Sequence, residues 1–247
     1  MKLRKLCAVA LVATIGAATV GSVAASADQV SLDSKGHVEV IGGTIDPENP
    51  DIVDPENPEG PEIDPETPGI VINPDIENKG IISVSNLEFG QISVGTTEAS
   101  AEALQLPAGG TRGNIVSFGD VTGSYTGYTI TGELTSQFTN GTTTLDGASI
   151  TYTNPLLATS GTGTIAAAVP ASVVLSTEEG AKTFVSAAAG EGSGLWTLEF
   201  GQSATSEAGT PGTDANSVEL AIPTSVASAM TLGHYEATVT WTMGATA

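Results

Sequence analysis

The C-terminal half of the chain alternates apolar and polar positions in a way that predicts β-strands. In residues 194–200, Trp196 and Leu198 fall on one face of an extended strand, while Thr197 and Glu199 fall on the other. This alternation is typical of a strand with one face in the core and one in solvent. We therefore predict that this strand is half-buried.

The end of the chain repeats the pattern. Tyr235, Val239, Trp241 and Met243 share one face of a predicted strand, and threonines occupy most of the other. The chain has only two tryptophans, and each lies on the apolar face of such a strand. The periodicity favours core packing for both, and an exposed platform that stacks on a glycan is the alternative.

Similar short runs continue from Gly80 onwards, and no stretch combines helical periodicity with caps over three turns. Turn dipeptides separate the runs at Asn140-Gly141 and Asp146-Gly147. The sequence predicts an all-β, β-sandwich-like domain over residues 79–247. The predicted strands centre on the following segments: 82–89, 125–130, 149–152, 173–175, 184–185 and 218–222.

The first 27 residues have the pattern of a secretory signal peptide. Basic residues precede an apolar run from Leu6 to Val20, and Ala25-Ser26-Ala27 is a small-residue cleavage site. Residues 28–45 follow, and the alternation in His37–Ile41 predicts one short strand there. We therefore expect a secreted protein that does not insert into a membrane.

Residues 46–78 differ in composition from the rest of the chain. Three D-P-E-x-P repeats begin at Asp46, Asp54 and Asp64, and residues 46–77 hold eight of the 13 prolines and eleven of the 28 acids. Proline restriction and repulsion between like charges predict a disordered, extended and solvated linker. Weak calcium binding by the repeated carboxylates is the alternative, although the repeats lack the glycine turn of an EF-hand loop.

Charge and residue usage restrict the function. Cleavage after Ala27 would leave four basic residues against 28 acidic ones, a formal net charge of −24, which argues against nucleic acid as a partner. It would also remove the only cysteine, so we expect no disulfide, no thiolate nucleophile and no cofactor or metal. A secreted hydrolase would depend on His37, His234 or unpaired carboxylates, so we predict that the protein is not an enzyme.

Several motifs together resemble the WxL domain of Gram-positive cell-surface proteins. Gly194-Leu-Trp-Thr-Leu198 contains an intact W-x-L, and residues 235–243 resemble the distal Y-x-x-x-L-x-W-x-L motif. The D-P-x-x-P repeats and the run from Ile81 to Gly90 follow the family's layout. Two positions depart from it, since Tyr128 stands where tryptophan is usual and Met243 replaces the distal leucine.

This resemblance implies non-covalent attachment to peptidoglycan on the cell surface, in an assembly with other WxL-type proteins and a membrane-anchored partner. The alternative is a structural or adhesive protein–protein interaction module, with host matrix as a further partner, in which wall contact is indirect and an open strand edge takes part. The residues implicated by the motifs are Trp196, Leu198, Tyr235, Trp241, Met243 and Tyr128.

Overall fold

The computed structural model describes residues 32–246, so the predicted signal peptide lies outside the described residues. None of its helices is long and apolar enough to cross a membrane. The strands are β1 Ile70–Ile72, β2 Lys79–Ser85, β3 Glu98–Ser100, β4 Leu104–Gln105, β5 Thr111–Arg112, β6 Asn114–Asp120, β7 Tyr128–Thr139, β8 Ser149–Thr153, β9 Pro155–Ala158, β10 Ser172–Leu175, β11 Lys182–Ala187, β12 Gly194–Phe200, β13 Val218–Ala221 and β14 Glu236–Gly244. The only helix among the described residues is the single turn α1, Thr224–Ala227.

The strands form antiparallel sheets, which confirms the predicted all-β class. The first sheet has the order β1-β2-β6-β12-β9, the second β10-β8-β13-β3 and the third β11-β7-β14, while β4 and β5 form a separate pair. In the first sheet β12 lies between two partners, with Trp196 opposite Phe118 of β6 and Leu198 opposite Leu157 of β9. The W-x-L strand is therefore an interior strand of its sheet.

One large core joins the three larger sheets. Phe118, Trp196 and Leu198 of the first sheet pack with Tyr152 of the second and Phe184 of the third. Trp196 and Leu198 lie on the alternating face that the sequence predicted to be buried, whereas β6, which carries Phe118, was not among the predicted strands. Burial of these apolar faces is the main source of stability in a domain for which the sequence predicts no disulfide.

The predicted linker is packed rather than extended, and this prediction is wrong. Residues 46–78 belong to the same compact unit as the strands, Val40–Ala247. Ile52 and Ile63 are buried in a cluster with Ile115 of β6, and Ile76 is buried against Ile82 of β2. The segment thus covers the outer face of the first sheet, because isoleucines between its proline–acid repeats supply apolar anchors.

The repeats themselves fold into compact turns. In each one the aspartate accepts a hydrogen bond from the backbone N–H two residues later: Asp46 from Glu48, Asp54 from Glu56 and Asp64 from Glu66. The side chain of each repeat therefore fixes its own backbone, and like-charge repulsion does not extend the segment.

Two further predictions need correction. Residues 37–41 form no strand, and Val38 and Val40 are 89% and 88% exposed. In β12, Thr197 and Glu199 are as fully buried as Leu198, so this strand is covered on both faces. Thr197 and Glu199 are buried because residues 46–78 pack over the outer face of the first sheet. The composition of that segment gave no indication of this packing.

Candidate functional site

The W-x-L motif of β12 is part of the core. Trp196 is 5% exposed and Leu198 is fully buried, and the indole N–H of Trp196 donates to the carbonyl of Ser193 at 3.1 Å. Both polar and apolar surfaces of the indole are therefore satisfied within the protein. These two residues stabilise the core of the domain, and their side chains are not accessible to a large ligand.

The distal motif lies on β14, at the edge of the third sheet. Tyr235, Trp241 and Met243 are half-buried, whereas the intervening threonines are exposed, as the alternation predicted. The Trp241 ring lies 4.6 Å from the Phe184 ring and 6.4 Å from the Phe200 ring, measured between centroids. Phe200 ends the strand of the first motif, so an aromatic cluster connects the two motifs.

Tyr128, at the start of β7, is the third motif position. Its ring is fully buried and packs edge-on against Phe118, with centroids 5.9 Å apart. Its hydroxyl donates to the carbonyl of Gly192 at 2.8 Å, and burial raises its pKa far above the usual value. The Tyr128 ring therefore fills a position in the core, and its hydroxyl fixes the loop that contains Gly192 by a hydrogen bond.

A cleft of about 880 Å³ opens beside β14. Residues 84–94 form one wall, and residues 230–239 with Trp241 form the other. Its aromatic lining combines partly accessible and core residues and consists of Phe89, Phe138, Tyr152, Tyr235 and Trp241. Its volume is in the range of ligand-binding clefts, and its lining combines aromatic side chains with polar groups in about equal measure.

The polar groups of the cleft are neutral or acidic. Glu88 and Glu236 line it together with amide, hydroxyl and imidazole groups from Asn86, Thr231 and His234, and no lysine or arginine contributes. An anionic ligand would therefore find no countercharge here. Aromatic faces combined with uncharged hydrogen-bonding groups suit a sugar ring better.

The structure brings together only two of the six motif residues at this surface. Tyr235 and Trp241 line the cleft, whereas Trp196, Leu198 and Tyr128 are buried elsewhere and Met243 packs against the core. The sequence reasoning missed the opposite wall. Residues 87–89 read as part of a strand, and nothing local showed that they face β14.

Sequence reasoning also missed a buried charged network under the covering segment. Arg112 donates to Asp54 through Nε at 2.7 Å, and its Nη1 lies 3.5 Å from Glu56. Glu56 in turn accepts hydrogen bonds from the backbone N–H and hydroxyl of Ser203. The second repeat is therefore held against the domain by ionic contacts that its own acidic side chains supply.

Glu199 lies within the same network and is fully buried. Its Oε1 accepts a hydrogen bond from the backbone N–H of Gly113 at 2.9 Å, while Oε2 has no partner among the described residues. Burial, reinforced by the charge of Glu56, raises the pKa of Glu199 to about 9. The group is therefore protonated at neutral pH and takes a structural role.

Residues 32–246 contain no group of three or more His, Cys, Asp or Glu side chains arranged to hold a metal ion. His234 is 84% exposed and lies 3.5 Å from Glu236. The aspartates of the three repeats accept hydrogen bonds within their own turns, and Asp54 also pairs with Arg112.

Comparison with known proteins agrees with the motifs. The model of the WxL family, described as a surface cell wall-binding domain, matches residues 27–246. No curated protein and no solved structure matches the chain. The match covers nearly the whole chain, including the covering segment, and is consistent with a cell-wall-associated protein at the cell surface. The resemblance read from the two tryptophan strands is thus confirmed, and the chain belongs to the WxL family of surface cell wall-binding domains.

Proposed function

We propose that the protein attaches non-covalently to peptidoglycan and that the cleft beside β14 contacts the glycan. The observation that carries this proposal is that Tyr235 and Trp241, alone among the motif residues, line an open aromatic cleft. The other motif residues hold the domain together, so they position this surface rather than form it.

Stacking and hydrogen bonding supply the affinity in this proposal. The full chain has a formal net charge of −21, and the cleft adds no basic side chain, so Coulomb attraction to anionic wall polymers is unfavourable. Aromatic faces bind the apolar faces of sugar rings without charge, and the amide of Asn86 and the imidazole of His234 provide polar contacts. Binding should therefore depend only weakly on salt.

Co-sedimentation of the secreted chain with purified Gram-positive peptidoglycan tests this proposal. Tyr235→Ala removes one aromatic wall of the cleft and should weaken binding about ten-fold, since about 1.4 kcal/mol corresponds to a factor of ten. Tyr125→Ala is the matched control, because Tyr125 is 56% exposed and does not line the cleft. Circular dichroism confirms that both variants fold.

Two results would contradict the proposal. One is a wild-type chain that sediments no more than an unrelated acidic protein at any salt or calcium concentration. The other is an equal loss of binding in both tyrosine variants, which would place the contact outside the cleft.

A second candidate is a protein–protein interaction module with indirect wall contact. It is supported by β14, which pairs only with β7 and so leaves one edge open within residues 32–246. Other WxL-type surface proteins, their membrane-anchored partner and host matrix are the proposed partners. Retention on cells that lack every such partner would count against this candidate.

We also propose that the protein is secreted through cleavage after Ala27 from a Gram-positive cell and that it is not an enzyme. The first point is tested by N-terminal sequencing of the secreted form, which should begin at Asp28. The second is tested by incubation of the pure protein with labelled muropeptides. Hydrolysis of the muropeptides that persists when the wild-type protein is purified further would contradict the proposal that it is not an enzyme.

A further inference from the structure

Residues 36–41 are an exposed, unpaired segment with the alternation of a strand. Val38, Val40 and Ile41 are 89%, 88% and 81% exposed, although the segment Gly36-His-Val-Glu-Val-Ile41 has high β-propensity. Single exposed apolar residues are common on protein surfaces, but three within four residues are not. The segment therefore has the composition of a strand and lacks a neighbouring strand.

The outer edge of β14, in contrast, is the free edge of a paired strand and lacks a neighbouring strand among the described residues. Its backbone pairs with β7 on one side, and among residues 32–246 no other strand pairs with it. The other side of its first half faces the cleft, whose far wall includes Ile92 and Val94, which are 38% and 53% exposed. An edge strand with unpaired N–H and C=O groups, beside a cleft that contains exposed apolar side chains, is a suitable acceptor for an added strand.

We propose that residues 35–41 of a second copy of this chain add as a strand to the β14 edge and fill the cleft. In an extended segment Val38 and Val40 share one face and would pack on the cleft floor formed by Phe138 and Leu220. His37 and Glu39 would face solvent beside the exposed threonines of β14. In this arrangement hydrogen bonds between the backbones provide the affinity, and the packing of the two valines fixes the register of the added strand.

Charge supports this occupant. Of the four Lys and Arg residues in the described chain, Lys79, Arg112 and Lys182 form ion pairs within it, and Lys35 does not. Lys35 shares the outward face of the donor segment, and Glu236 is 81% exposed on the outward face of β14. A cross-strand pair between them stabilises addition and suits a surface that is otherwise strongly acidic.

The donor in this proposal comes from another molecule. Gly43 is held by a hydrogen bond from its N–H to the carbonyl of Val121, whose own N–H donates to the carbonyl of Asn78 just before β2 begins. Val40 and Ile41, just before this anchor, belong to the same compact unit as the cleft, yet they are 88% and 81% exposed and do not line it.

Donor and acceptor are different surfaces, so the contact is heterologous. A copy that accepts a donor strand still presents its own residues 35–41, and each addition leaves one free segment and one free edge. Such contacts propagate into chains unless the rotation between copies closes a ring. The proposal goes beyond wall attachment and makes the protein a component of its own surface assembly.

The test compares the molar mass of the secreted chain with that of Val38→Asp by size-exclusion chromatography and light scattering, from micromolar to submillimolar concentration. The mass of the wild type should rise with concentration. Val38→Asp should weaken association at least ten-fold, because it places a carboxylate on the apolar floor. Leu32→Asp is the matched control, since Leu32 is 97% exposed and lies outside the donor segment.

A charge exchange tests the register of the contact. Lys35→Glu should weaken association, and Lys35→Glu combined with Glu236→Lys should restore it, which no non-specific aggregation would do. A wild type that stays monomeric throughout would overturn the proposal and leave the cleft to the glycan, and so would equal loss in Leu32→Asp. Peptidoglycan sedimentation of Val38→Asp is measured separately. The donor strand and the glycan would compete for the same cleft, so a variant that no longer self-associates should bind the wall at least as well as the wild type.

Discussion

Glu199→Gln should remove the contribution of Glu199 to the pH dependence of stability. The carboxyl of Glu199 is fully buried, and its Oε2 has no hydrogen-bond partner within the described residues. Burial raises its pKa to about 9, against an ordinary glutamate value of 4.5. Glutamine has the same shape, keeps the acceptor for the N–H of Gly113 and carries no titrating proton.

The sign and size of the effect follow from proton linkage. Between the two pKa values the folded chain holds a proton on Glu199 that the unfolded chain has released, so the free energy of unfolding falls as pH rises. The contribution is complete below pH 4.5 and is lost progressively towards pH 9. One proton corresponds to about 1.4 kcal/mol per pH unit, or about 4 kcal/mol between pH 5 and pH 8.

Urea denaturation of the wild type and Glu199→Gln across this pH range measures the difference directly. The two curves should converge at low pH and separate as pH rises, with the variant more stable at pH 8 by up to about 4 kcal/mol. Glu179→Gln is the control, because Glu179 is 57% exposed, and it should follow the wild type. Parallel curves for the wild type and Glu199→Gln would refute a buried, protonated carboxyl.

Three further substitutions, one of them with a matched control, test the packing. Arg112→Met leaves buried carboxylates without their cation and should lower the free energy of unfolding by about 3–5 kcal/mol in urea, whereas Lys182→Met at an exposed ion pair should cost less than about 1 kcal/mol. Tyr128→Phe removes a buried hydrogen bond and should cost about 1–3 kcal/mol in the same assay, and an unchanged midpoint would show that the hydroxyl is dispensable. Gly132→Ala would place a Cβ 2.9 Å from the ring of Phe184 and 3.1 Å from that of Trp241, so it should cost about 1–3 kcal/mol and shift tryptophan emission; unaltered emission would contradict this.

The covering segment shows why composition misled the reasoning about residues 46–78. Proline and acidic residues are typical of solvated linkers, and their abundance outweighed the four apolar residues of this segment that are buried in the structure. Those residues, including Ile52 and Ile76, bury against β6 and β2, and Arg112 neutralises Asp54 from a distant part of the sequence. Neither contact has a local signal, because both join segments separated by many residues.

The same cause limited the reading of β12. Its alternation correctly placed Trp196 and Leu198 in the main core, but Thr197 and Glu199 are buried too. Alternation reports which residues share a face and not what covers that face. The burial of Glu199 and its raised pKa could therefore be found only in the folded chain.

The sequence by itself determined the all-β class, the faces of the two tryptophan strands and the family, because strand periodicity and motif spacing are local properties of the chain. Only the tertiary structure decided which motif residues reach the surface, since this depends on the position of each strand in its sheet. β12 is an interior strand and its tryptophan is enclosed, whereas β14 is an edge strand and Trp241 lines a cleft. Sheet order arises from pairing between distant segments, and no local pattern specifies it.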